Sequence, residues 1–120
     1  MIRNWEDIDR YLIALGVRIG QPTLELTTGG GHARGAKHLS FHYLGTARDY
    51  PQLPNSDDTA IARRLEFIAL QPDGPIVELF SANASIFIKD GQRISPVKID
   101  LWNEHLNHCH VALKPGRRLF

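Results

Sequence analysis

His38-Leu-Ser-Phe-His42-Tyr-Leu-Gly45-Thr-Ala-Arg-Asp49-Tyr50 brings two imidazoles and a carboxylate into one short stretch. Its counterpart near the C-terminus is His105-Leu-Asn-His108-Cys-His110. Every histidine of the chain falls in one of these neighbourhoods: His32, His38 and His42 in the first, His105, His108 and His110 in the second. Imidazole is the commonest metal ligand, and a carboxylate beside it completes a donor set suited to zinc. A catalytic zinc takes three protein ligands and leaves a fourth position for water. His42, Asp49 and one member of the His108/His110 pair would supply such a set.

The spacing says what backbone could assemble them. A helix would set His42 and Asp49 about two turns apart, whereas a bent strand–turn segment around Gly45 brings them together more readily. Residues two apart on a strand point to the same face, so a strand through His-Cys-His makes His108 and His110 neighbours. Gly45 and Ala47 suit places where backbone must pass close to a metal.

Ser40-x-His42-x-x-Gly45-x-Ala47-x-Asp49, followed late in the chain by His108-Cys-His110-Val-Ala-Leu, resembles the paired signatures of the zinc D-Ala-D-Ala carboxypeptidase family. That family includes vancomycin-resistance dipeptidases and phage L-alanyl-D-glutamate endopeptidases, with hedgehog signalling domains and lysostaphin-type peptidases as more distant kin. The resemblance implies a hedgehog/D,D-peptidase-like fold, one Zn2+ held by His42, Asp49 and His110, and His108 as the catalytic partner. It also implies that Ser40 helps hold the substrate carboxylate. The match is incomplete in two places. Thr27-Thr28-Gly29-Gly30-Gly31 carries glycine where the family has a carboxylate-gripping arginine, so Arg34 or Arg48 is the candidate replacement through a bidentate pair. Asn107 stands where some members have a general-base glutamate, which leaves His108 as the base and Glu104 as its fallback. His32, His38 and His105 are read as supporting or exposed, with His105 able to orient a ligand.

The bulk properties bound the rest. With 120 residues the chain suits one domain, 1–120, with a core of its own. A net charge of +1 offers no electrostatic footprint for nucleic acid, and no apolar run is long enough to span a bilayer. Met1-Ile-Arg-Asn-Trp-Glu-Asp is too polar for a secretory signal. The expectation is therefore a monomer that works in the cytoplasm or reaches the wall through a phage lysis system. Cys109 is single, so it forms no internal disulfide and reads first as a small packed side chain.

Along the chain, Asn4 caps a helix whose apolar positions are Trp5, Ile8, Tyr11, Leu12 and Leu15, stopped by Gly16. Thr23–Thr28 alternates as a strand. Ser56 or Asp57 caps a second helix with Ile61, Leu65 and Ile68 inward, ended by Gln71-Pro-Asp-Gly-Pro75. Ile76–Phe80 and Ile86–Lys89 read as strands, the latter entering an Asp90-Gly91 hairpin. Val97, Ile99 and Leu101 alternate as a further strand, and the Asn103–Asn107 loop delivers His108 and His110 onto the last one. The expected architecture is α+β: two helices on a mainly antiparallel sheet of four to six strands. The expected function is zinc-dependent hydrolysis of an amide in the stem peptide of peptidoglycan, with muropeptides as substrates. The alternative is a zinc-bearing module that binds wall peptide or is structural, without efficient catalysis.

Overall fold

Five antiparallel strands form one open sheet in the order β1-β5-β2-β3-β4 in the computed structural model, which describes residues 2–20 and 47–114. The elements are α1 (Trp5–Ala14), β1 (Ala47–Pro51), α2 (Asp58–Ala69), β2 (Ile76–Ser81), β3 (Ile86–Lys89), β4 (Gln92–Arg93), α3 (Ile99–Asn103) and β5 (His108–Leu113). The architecture is thus α+β, with three helices among the described residues. The Thr23–Thr28 strand, the triple glycine, Arg34, Ser40 and His32, His38 and His42 lie outside the described residues.

Local chemistry accounts for the helix starts. The Asn4 side chain accepts from the Asp7 N–H, and Asp57 accepts from the Ala60 N–H, so each satisfies a backbone donor the helix leaves unpaired. Gly16 follows α1 at φ +77°, a conformation that side chains resist. Asp90 and Gly91 both take positive φ in the β3–β4 turn, as a two-residue hairpin of this kind requires.

The sheet separates two apolar regions. On one face, Ile8 and Leu12 of α1 and Ile61, Ala62, Leu65 and Ala69 of α2 pack with Tyr50, Leu79, Ile88, Cys109, Val111 and Leu113. On the other, Phe80, Ala82 and Phe87 meet Val97, Leu101 and Trp102 from the α3 segment. Leu65 is fully buried in the larger cluster. Leu65→Ala should therefore cost about 2–5 kcal/mol, the usual range for a buried leucine left as a cavity, read as a lower denaturation midpoint with unchanged slope.

Two expectations need correction. Val97, Ile99 and Leu101 are not a strand, because residues 99–103 form α3 with Asp100 in its first turn. Alternation over five residues cannot distinguish strand from helix, and packing decides: Val97 and Leu101, four apart, reach the Phe80–Phe87 cluster together while Ile99 is exposed. On α1, Tyr11 and Leu15 are exposed rather than core. Trp5 is half-buried beneath the Arg48 guanidinium, 4.6 Å from its ring centre. No helix among the described residues is long and apolar enough to cross a membrane.

Candidate functional site

Strand register assembles the site on the α3 side of the sheet. Cys109, Val111 and Leu113 of β5 face α1 and α2, so His108 and His110 face the other way, as period-two geometry demands. Across β1, Asp49 pairs directly with His110 and Tyr50 with Cys109. Across β2, Phe80 pairs with His110, and Phe87 of β3 pairs with Phe80. One row of the sheet therefore reads Asp49, His110, Phe80, Phe87.

His110 is the centre of the row. Its Nδ1 lies 3.2 Å from Asp49 Oδ1 and its Nε2 lies 2.8 Å from Glu78 Oε1. The Phe80 ring stacks on it at 5.1 Å between centroids. Burial pushes the His110 pKa down, but hydrogen bonds and charge from Asp49 and Glu78 outweigh it, and the net shift is upward. Burial likewise pushes Glu78 up, and His110, then Lys89 at 3.0 Å, bring it below its usual range. The His110 ring is thus held between two carboxylates, one facing each of its nitrogens.

His108 sits one strand step away. Its Nδ1 donates to Asn107 Oδ1 at 2.7 Å, which leaves Nε2 facing Asp49 Oδ1 at 3.6 Å. This pairing assigns the tautomer: Nδ1 carries the hydrogen, and Nε2 is the nitrogen able to take a proton. Asn107, which cannot itself act as a base, thus orients the histidine that can. The loop before β5 is tied at three points. Gln52 N–H donates to Asn107 O, Ala82 N–H donates to His105 O, and Asn83 Nδ2 bridges Leu106 O and Asp58 Oδ2.

The remaining expectations sort cleanly. His105 is buried, donates from Nδ1 to Leu101 O at 2.7 Å, and packs its ring on Phe80, His108 and His110. Burial pushes its pKa down to about 4, so it is neutral near pH 7. Among the described residues it supports the site as a ring, with its Nδ1 hydrogen bond going to the Leu101 carbonyl. Glu104 is exposed at the end of α3. Arg48 lies on the opposite face, with Nη1 3.0 and 3.1 Å from the Asp9 carboxylate oxygens, and so does not replace the missing arginine at this site. Cys109 is a packed core side chain whose thiol pKa burial pushes well up.

Glu78 and Phe80 are site residues that the sequence reading passed over. Glu78 carried a signal: a carboxylate inside the apolar run Ile76-Val-Glu-Leu-Phe80 must find a partner if it is buried.

Could a metal be held here? Asp49 Oδ1 and His110 Nδ1 are 3.2 Å apart. Two ligands of a tetrahedral zinc with arms of about 2.0–2.1 Å stand about 3.3 Å from each other. The two donors have the right chemistry and spacing, while no group of three metal-ligating side chains is present among the described residues. His42, the third expected ligand, lies outside them. Comparison of the chain with protein-family models, with curated proteins and with solved structures finds no match in any of the three.

Proposed function

We propose that this chain is a zinc-dependent peptidase that hydrolyses an amide bond in the peptide stem of bacterial peptidoglycan. The observation that carries this reading is the direct β1–β5 pairing of Asp49 with His110 at ligand–ligand distance, with His108 beside them. The resemblance of Ser40–Asp49 and His108–His110 to the D-Ala-D-Ala carboxypeptidase signatures supplies the substrate class, and with it the hedgehog/D,D-peptidase-like fold. Asp49, His110 and, by that resemblance, His42 would hold the metal. Zinc in such a site acidifies water and polarises an amide carbonyl.

The chain's own residues do the rest. His108 Nε2 faces the Asp49 side of the site and moves a proton at the reacting amide, its ring held by Asn107. Phe80, His105 and Phe87 wall the sheet side with aromatic surface and limit the water that reaches it.

The second reading is a zinc-bearing module that binds wall peptide without cutting it. It is favoured by Asn107 in the place of a glutamate and by glycine in the place of the arginine. Mass spectrometry of muropeptides incubated with the zinc-loaded protein separates the two. New amine and carboxyl termini in the stem peptide support the peptidase. Unchanged muropeptides that nonetheless bind the protein make it the module.

A further inference from the structure

The position of Glu78 is produced by an irregularity in β2. Ile76 pairs with Leu113 and Glu78 with Ala112, so β2 advances two residues where β5 advances one. Val77 is the extra residue of a β-bulge. Its consequence is a change of face. In a regular strand Ile76 and Glu78 would point the same way. Here Ile76 is in the helix-side core with Leu79, while Glu78 is on the histidine side with Phe80. The bulge thus turns a carboxylate out of the hydrophobic core and onto His110.

His110 stands between two carboxylates, and the groups around each differ. The Glu78 side holds a cation already: Lys89, its partner across β2 and β3, lies 3.0 Å from Oε2. Among the described residues, the Asp49 side has a second imidazole nitrogen nearby, His108 Nε2, 3.6 Å from Oδ1. A divalent cation is repelled by the first neighbourhood and drawn to the second.

From this geometry we infer that Glu78 is a positioning residue for the metal: it holds the Nε2–H of His110 and so aims Nδ1 at the cation beside Asp49. Lys89 balances the Glu78 charge and keeps that carboxylate off the metal. The inference rests on the zinc reading above. Carboxylates that fix a ligating histidine in this way typically contribute 10–100-fold in metal affinity.

The test uses zinc alone, measured by competition with a chromophoric chelator, on the full chain and its E78Q and E78A variants. E78A should bind zinc about 10–100-fold more weakly than the parent. E78Q, which keeps an acceptor oxygen but not the charge, should fall between them and serves if E78A does not fold. A spectroscopic readout separates positioning from stability: with 113Cd in place of zinc and 15N-labelled histidine, the metal coupling of the parent should appear at His110 Nδ1, with Nε2 protonated. Parent-like affinity in both variants, or coupling at Nε2, overturns the inference while leaving the zinc site standing. A parent protein that binds no zinc overturns the metal reading itself, and this inference with it.

Discussion

His110→Ala is expected to strip the protein of zinc, from one ion per chain to almost none by elemental analysis after dialysis. The side chain is one of two proposed ligands that the fold sets at 3.2 Å. The same change removes the ring that stands between Asp49 and Glu78. Leaving two buried carboxylates without their shared hydrogen-bonding partner is destabilising, so the apo-protein should also melt earlier. Asp49→Asn isolates the metal effect, because the amide keeps the shape of the carboxylate but loses its charge. It should bind little zinc while retaining native circular dichroism. Full zinc occupancy in a folded sample of either variant would remove the substituted residue from the ligand set.

The second large effect is on catalysis. His108→Ala should retain zinc and fold but lose about 10²–10⁴-fold in muropeptide cleavage, the usual worth of a positioned acid–base group. The His108 ring is half-buried and belongs to neither apolar cluster; among the described residues it meets Asn107, Asp49 and the His105 ring, so its removal leaves both clusters in place. Asn107→Leu should lower the rate by a smaller factor, because the tautomer is no longer held. Glu104→Gln should leave it unchanged, since that carboxylate is exposed at the end of α3. A cleavage rate in His108→Ala equal to that of the parent, together with a severe loss in Glu104→Gln, would transfer the role to Glu104.

Much of the fold is legible in local chemistry. Asn4 and Asp57 are short acceptors placed before helical periodicity, and both cap as that arrangement implies. Asp90-Gly91 closes the hairpin because only such residues tolerate positive φ cheaply. The facing of His108 and His110 follows from strand period alone, as does the burial of Cys109 on the other side. What failed was the segment 99–103, where a short run satisfies two periodicities and long-range packing against Phe80 and Phe87 selects the helix. Arg48 failed for a related reason. Its neighbour Asp49 suggested a place at the site, but adjacent strand residues face opposite ways, and its guanidinium goes to Asp9 and Trp5.

The pairing of strands distant in sequence lies beyond any local pattern. From residues 49 and 110 alone one reads two candidate ligands; that they face each other depends on β1 choosing β5 as its neighbour. Glu78 is the clearest case. The sequence determined that a carboxylate interrupts an apolar strand and would need a partner. Only the tertiary structure decided which partner, because the bulge at Val77 sets the face, the register with β5 sets the histidine, and the register with β3 sets Lys89 beside it. Side-chain type and period are carried by neighbouring residues, whereas register is a property of two strands together and is settled by the cores that form on both faces of the sheet.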